Sequence, residues 1–211
     1  MKRSKIIQIG FNKTGTSSLA TFFKINGYKG IGPLMAKTVD DNLKNGKKAF
    51  EGLTFDLSQD LENHSSGIYI WKEYKLLHNQ YPNEKFILTT RSCEKWVNSR
   101  LKHRGGRYAR IFMRRHNING LDELIYEWKK EFYNYHGEVL NFFEGKSNFY
   151  INDLDNINTA SLIEFIGPAY EFEKKDYPIK NSNKSKKEPE FDLKAFEDLD
   201  QKGYLKANQG K

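Results

Sequence analysis

Residues 5–23 read "KIIQIGFNKTGTSSLATFF", and they predict the central unit of the architecture. The stretch begins with a short apolar run that is typical of a β-strand and ends in glycine. A helix follows, with Leu19, Phe22 and Phe23 on one face, and Asn26-Gly27 closes it. A strand that leads through a tight turn into a helix predicts an anion site, because N–H groups of the turn and of the helix N-terminus can face a negative charge.

The turn keeps most of the spacing of a phosphate-binding loop, G-x-x-x-x-G-K-[ST]. Gly10, Gly15 and Ser17 stand at the expected positions, but Thr16 occupies the position of the lysine. Lys13, inside the loop, supplies a positive charge instead. Hydroxyl donors would come from Thr14, Thr16, Ser17 and Ser18. The alternative interpretation is an ordinary helix with a polar N-cap.

The rest of the chain alternates between strand and helix patterns. The segment 85–91, "KFILTTR", is the clearest buried strand, and helices are predicted at 69–82, 92–103 and 121–143. A strand at 147–154 and a helix at 159–167 complete the pattern. This alternation predicts an α/β fold, a P-loop-containing parallel sheet with helices on both faces. We expect one domain over residues 1–185 and a charged tail, extended or partly disordered, over 186–211.

The composition favours an anionic partner. Lys and Arg number 35 against 27 Asp and Glu, which gives a formal net charge of +8. The single cysteine, Cys93, excludes an intramolecular disulfide and a cysteine-based zinc site. The sequence shows neither a secretory signal nor a transmembrane segment, so we expect a soluble, cytoplasmic protein.

A second possible phosphate site lies at the end of the strand 85–91. Arg91 closes this strand, where open α/β sheets bind their ligands, and Ser99 follows eight residues later on the next predicted helix. An arginine fork and a hydroxyl that converge there would hold a second phosphate group. A structural ion pair of Arg91 is the alternative.

Together these stretches resemble the sulfotransferase family, which uses 3′-phosphoadenosine 5′-phosphosulfate (PAPS). "GFNKTGTSSL" (10–19) is similar to the family's 5′-phosphosulfate loop, whose lysine falls at Lys13. "TTRSCEKWVNS" (89–99) is similar to its 3′-phosphate motif, and "YPIKN" (177–181) resembles a late segment that closes over the nucleotide. The resemblance covers roughly residues 1–185. It implies a transferase that moves a sulfuryl group from PAPS to a hydroxyl or amine acceptor and releases 3′-phosphoadenosine 5′-phosphate.

The resemblance also implies roles for individual residues. Lys13 would neutralise charge as the bond to sulfur breaks, in a cradle formed by Thr14, Gly15, Thr16, Ser17 and Ser18. Arg91 and Ser99 would bind the 3′-phosphate, with Asn181 and Lys184 closing over the nucleotide. The base that accepts the acceptor's proton would be Asp60 or Glu62, with His64 left open, all within the acidic loop 58–64. A solvated acidic turn is the alternative interpretation of that loop.

The acceptor side is predicted less sharply. His64, His103 and Arg104 are candidates to contact the acceptor, a small molecule, a carbohydrate or another hydroxyl or amine compound, and the chemistry needs no metal. Two other functions stay open at this point. A P-loop kinase or nucleotide hydrolase would require a lysine in place of Thr16 and an acidic Mg²⁺ ligand. A non-catalytic nucleic-acid-binding module would explain the charge and the Arg-rich segment 104–116.

Overall fold

The computed structural model describes residues 3–64 and 66–179. Five strands form one sheet in which every pair is parallel, in the order β2-β3-β1-β6-β7. Two further strands, β4 and β5, pair antiparallel as a hairpin. The strands are β1 Ile6–Gln8, β2 Gly30–Ile31, β3 Leu57–Ser58, β4 Glu62–Asn63, β5 Ile68–Tyr69, β6 Lys85–Thr90 and β7 Phe149–Asp153. The predicted α/β fold with a parallel sheet is confirmed.

Seven α-helices lie in the described part of the chain. They are α1 Thr16–Ile25, α2 Ala36–Lys44, α3 Tyr74–Gln80, α4 Cys93–Lys102, α5 Arg107–His116, α6 Leu121–Phe143 and α7 Thr159–Ile166. Short 3-10 helices span Pro33–Met35 and Ile70–Glu73. The helix predicted at 69–82 is therefore shorter, because β5 and a 3-10 turn occupy its first residues. None of the described helices is long and apolar enough to cross a membrane.

The described chain divides into two compact units. The first consists of Met1–Arg91 and Glu138–Lys180, and it contains the whole parallel sheet. The structure describes residues 92–137 of the second, that is α4, α5 and most of α6. The domain boundary predicted at residue 185 lies outside the described residues and stays a prediction.

Helices pack on both faces of the sheet in the first unit. Successive side chains of a strand point to opposite faces, and β6 shows this clearly. Ile87 packs in a buried cluster with residues of α1 and α7. Phe86 faces the other way, with its ring 5.3 Å from Phe143 and 5.5 Å from His78 on α3. The sheet is thus held between two apolar layers, and the carboxyl ends of its strands are fixed relative to one another.

The segment after α7 packs back onto α1. The ring of Phe172 stacks on Phe22 at 4.8 Å, and the ring of Tyr177 lies 5.4 Å from Phe22. The Tyr177 hydroxyl accepts a hydrogen bond from Asn152 Nδ2 on β7 at 3.0 Å, and burial raises the pKa of this phenol. The first residues of "YPIKN" therefore lie against the helix that follows the phosphate-binding loop. Asn181 and Lys184 lie outside the described residues, and their role stays a prediction.

Candidate active site

The predicted phosphate-binding loop connects β1 to α1. Gly15 is the N-cap of α1 and has a left-handed conformation, with φ of 95°. Its carbonyl accepts hydrogen bonds from the N–H groups of Ser18 and Leu19 at 3.0 Å. Lys13, at the middle of the loop, also has a positive φ, 66°, which is uncommon for a residue with a side chain. The loop is thus a tight turn into a helix N-terminus, the geometry that favours an anion.

Both loop glycines are needed for steric reasons. A Cβ on Gly10 would lie 2.2 Å from the backbone oxygen of Thr89, because the loop passes directly over β6. A Cβ on Gly15 would meet Leu154 at 3.0 Å, in addition to the strain of its positive φ. The glycine spacing of the motif therefore reflects close packing of the loop on two neighbouring segments.

Thr14 fastens the loop to the sheet. Its side chain is buried, and its hydroxyl donates to the carbonyl oxygen of Phe11 at 2.5 Å. The same hydroxyl lies 2.8 Å from the hydroxyl of Thr89 on β6. Because this side chain is engaged within the protein, Thr14 would contact a phosphate through its backbone N–H. Ser17, by contrast, is exposed on the first turn of α1.

Gln8, the last residue of β1, joins three strand ends. Its side-chain amide Nε2 donates to the carbonyl of Gly10 and to the hydroxyl of Thr89, each at 2.8 Å. Its Oε1 accepts from the backbone N–H of Asp60 at 2.9 Å. The Gln8 side chain is buried. Of its three partners, Gly10 follows β1, Thr89 lies in β6 and Asp60 follows β3. Sequence reasoning missed this role, although Gln8 is the one polar residue that interrupts the apolar run of β1.

Asp60 lies just beyond β3 with φ of 53°. Its Oδ1 is buried and has no hydrogen-bond partner among the described residues. Burial raises the pKa of this carboxyl to about 7; the negative charge of Glu62 also raises it, and the positive charge of Lys13 lowers it. A carboxyl that titrates near neutral pH beside the loop lysine is suited to accept a proton.

Glu62, on β4, has both carboxylate oxygens engaged. Its Oε1 lies 2.7 Å from His64 Nε2, and its Oε2 accepts from the indole N–H of Trp71 at 2.9 Å. Its side chain is only 4% exposed. The predicted acidic loop is therefore in part the β4–β5 hairpin, and Glu62 is placed to orient His64.

His64 connects this hairpin to the phosphate-binding loop. Its Nε2 also lies 3.0 Å from the amide of Asn12, and its Nδ1 lies 3.3 Å from the Tyr69 hydroxyl. Asn12, Tyr69 and Trp71 were not identified from the sequence, because nothing in the local pattern distinguishes them from ordinary loop and core residues. The structure thus brings Asp60, Glu62 and His64 together at one end of the sheet.

Arg91 follows β6, as predicted. Its Nη2 lies 3.8 Å from Asp155 Oδ1, so the ion pair considered as an alternative is present but long. Its Nε is buried and has no hydrogen-bond partner in the described chain. A buried guanidinium N–H without an acceptor leaves a donor for an anionic ligand.

The other candidates belong to the second unit. Ser99 is half-buried on α4, His103 follows that helix, and Arg104 is exposed with φ of 53°. The His103 ring lies 5.8 Å from that of Tyr108 on α5. The binding of the 3′-phosphate by Ser99 and of the acceptor by His103 and Arg104 stays a prediction. Within residues 3–64 and 66–179, no group of three or more His, Cys, Asp or Glu side chains is arranged to hold a metal ion.

A comparison with protein families identifies the family of the chain. A family model described as a sulfotransferase domain matches residues 5–157. The chain belongs to the sulfotransferase family. The match runs from β1 to just past β7, so it includes the phosphate-binding loop, Asp60, Arg91 and Ser99. None of the curated proteins compared with the chain matches it significantly. Membership supports a transferase that carries out sulfotransfer.

We predict that Gln8→Leu in this sulfotransferase lowers the free energy of unfolding by about 2–4 kcal/mol, since it leaves the Gly10 carbonyl and the Asp60 N–H without their side-chain partner and removes one of the two partners of the Thr89 hydroxyl. Urea denaturation would measure the change. The matched control is Asn83→Leu at an exposed position, which should stay within about 0.5 kcal/mol of wild type. A Gln8 variant as stable as that control would show that the bridge is dispensable.

Proposed function

We propose that this sulfotransferase moves a sulfuryl group from PAPS to a hydroxyl or amine acceptor. One observation carries the proposal. The strands β3, β1 and β6 are adjacent and parallel in the sheet. Asp60 follows β3, the Lys13 loop follows β1, and Arg91 follows β6. Ligands of open parallel sheets bind outside the carboxyl ends of the strands. A base, a loop cation and an arginine fork at one sheet edge fit a donor that carries two separate anionic groups.

The residues present fit such a donor. The tight loop, with its two obligatory glycines and the Lys13 charge, suits the 5′-phosphosulfate. The buried Arg91 Nε, which lacks a protein acceptor, suits the 3′-phosphate. The resemblance adds Ser99 as a second ligand of that phosphate, and Asn181 and Lys184 as residues that close over the nucleotide.

When bound, PAPS supplies an activated sulfuryl group on a phosphosulfate anhydride. Lys13 provides a fixed positive charge where negative charge grows as this anhydride breaks, and a preorganised charge of this kind lowers the barrier electrostatically. The loop N–H groups and the N-terminus of α1 hold the phosphate in place. Thr14 and Gln8 keep the loop rigid, so that Lys13 stays aligned.

Asp60 is the better candidate for the base. Its Oδ1 is buried without a protein partner, and its pKa of about 7 allows it to take up the acceptor's proton at neutral pH. Glu62 has both oxygens occupied by His64 and Trp71. We therefore assign Glu62 a positioning role, in which it holds His64 toward the phosphate-binding loop for contact with the acceptor.

Transfer of labelled sulfate from PAPS to a panel of alcohols, amines and sugars tests the proposal. Asp60→Asn should lower kcat by about 10²–10⁴-fold, because the amide cannot accept the proton. The control Asp122→Asn, at an exposed position on α6, should keep wild-type activity. If Asp60→Asn turned over at the control rate, Asp60 would not be the base; if the wild-type chain sulfated no acceptor, the proposed reaction would be wrong.

The pH profile should report Asp60. Only the ionised carboxylate is a base, so kcat/KM should rise about tenfold per pH unit below the Asp60 pKa of about 7 and level off above it. Glu62→Gln removes a negative charge that raises this pKa, and it should move the midpoint to lower pH. Initial rates at subsaturating acceptor give the profile. A midpoint that stays in place or moves upward in the variant would contradict the assignment.

A further inference from the structure

The turn that follows β7 lies beside both parts of the proposed nucleotide site. The Leu154 N–H donates to the Thr90 carbonyl at 2.8 Å, which continues the pairing of β6 with β7 beyond the last residue of β7. The Leu154 side chain packs over Gly15, where a Cβ would meet it at 3.0 Å. The next residue, Asp155, lies beside Arg91 at the end of the neighbouring strand. The turn is therefore held between the phosphate-binding loop and the arginine.

Asp153 fixes the shape of this turn. Its Oδ1 accepts from the backbone N–H of Asp155 at 2.9 Å, and its Oδ2 accepts from the side-chain amide of Asn156 at 2.8 Å. The backbone N–H of Asn156 also donates to the Asp153 carbonyl at 3.1 Å. An aspartate that bonds to the backbone two residues later forms a tight, self-closed turn. The backbone of Asp155 therefore has a fixed place relative to the end of β6.

The Asp155 carboxylate lies at the edge of Arg91 that an oxyanion would use. Its Oδ1 is 3.8 Å from Arg91 Nη2, which is too long for a hydrogen bond. Nε and Nη2 share one edge of the guanidinium plane, and Nε is buried without an acceptor in the described chain. A phosphate that paired with both N–H groups would approach beside the Asp155 carboxylate. The side chains are only 20% and 16% exposed, so salt screens their charges incompletely.

We propose that Asp155 competes with the 3′-phosphate for Arg91 and thereby weakens the binding of nucleotides that carry this phosphate. The inference rests on the proposed function, in which Arg91 binds the 3′-phosphate. A carboxylate and a phosphate that share one cation at close range repel each other, and each lowers the attraction of the cation for the other. Asp155 acts through Arg91 and sets the affinity; it does not react.

A weaker hold on the 3′-phosphate suits the proposed reaction. Sulfuryl transfer leaves this phosphate unchanged, so its contacts are equally strong with donor, transition state and product. Such uniform binding does not lower the barrier of the chemical step, but it retains the product, 3′-phosphoadenosine 5′-phosphate, in the site. Product release limits the turnover of many enzymes. A carboxylate beside Arg91 speeds that release without touching the groups that carry out the transfer.

Isothermal titration calorimetry on the full chain tests the competition with two probes, 3′-phosphoadenosine 5′-phosphate and adenosine 5′-monophosphate, which differ only in the 3′-phosphate. Asp155→Asn should bind the bisphosphate about tenfold more tightly than wild type, because a like charge close to the phosphate is gone. Its affinity for the monophosphate should change less than about twofold, since that probe has no group at Arg91. In the Arg91→Gln background the gain should largely disappear.

Glu164→Gln is the matched control. Glu164 is exposed in the last turn of α7, and the carbonyl of its neighbour Phe165 accepts from Lys85 at the start of β6, the opposite end of the strand from Arg91. This variant loses the same charge and should bind the bisphosphate within about twofold of wild type. Asp155→Ser removes the carboxylate with a shorter side chain and should bind the bisphosphate as tightly as Asp155→Asn. Thermal melting confirms that each variant is folded.

The outcomes separate this inference from the proposed function. If wild type prefers the bisphosphate but both Asp155 variants bind it equally or more weakly, Asp155 only holds Arg91 in place and the competition is wrong. Equal gains for both probes, or a gain that persists in the Arg91→Gln background, would also refute it, since the effect would not pass through Arg91. A wild-type chain that does not distinguish the two probes would instead overturn the proposed function, and this inference with it.

Discussion

The site depends on one buried side chain, the amide of Gln8. Its hydrogen bonds to Gly10, Thr89 and the backbone of Asp60 join the carboxyl ends of three strands that are distant in sequence. A buried amide that satisfies its donors and its acceptor in this way is rigid, because any shift leaves a polar group unpaired in the interior. The backbone at the start of the Lys13 loop and the backbone of Asp60 are therefore held together through a residue of the sheet.

The electrostatics of the site follow from this rigidity. Asp60 is buried near one positive charge and one negative charge, and burial together with Glu62 outweighs Lys13 in setting its pKa. Glu62 stays in place because His64 and Trp71 engage both of its oxygens. In the proposed reaction, neighbouring carboxylates thus take different roles, Asp60 as the proton acceptor and Glu62 as a fixed charge that raises the pKa of Asp60.

Much of the fold could be predicted from the sequence, because strand periodicity, glycine spacing and helix closure are local signals. The loop of Lys13 and the strand-end position of Arg91 belong to this part. The Gln8 bridge could not, since its partners lie 81 and 52 residues away. The β4–β5 hairpin, which contains Glu62 of the predicted acidic loop, pairs residues that are close in sequence, but its two-residue strands are too short to show an alternating pattern. The Arg-rich segment 104–116 has no clear helical pattern at its start, where Gly105-Gly106 lies, and α5 is held by a contact from another helix, the hydrogen bond from Arg100 on α4 to the Tyr108 hydroxyl.

Nucleotide discrimination is the sharpest test of whether this loop and Arg91 bind a donor with a 3′-phosphate. Isothermal titration calorimetry would compare 3′-phosphoadenosine 5′-phosphate with ADP, which lacks that phosphate, on wild type and Arg91→Gln. We expect wild type to bind the bisphosphate about 10- to 100-fold more tightly than ADP, as charge-assisted hydrogen bonds to one phosphate allow, and we expect the variant to lose this preference. Equal affinities in wild type, or tighter binding of ATP with Mg²⁺, would contradict it.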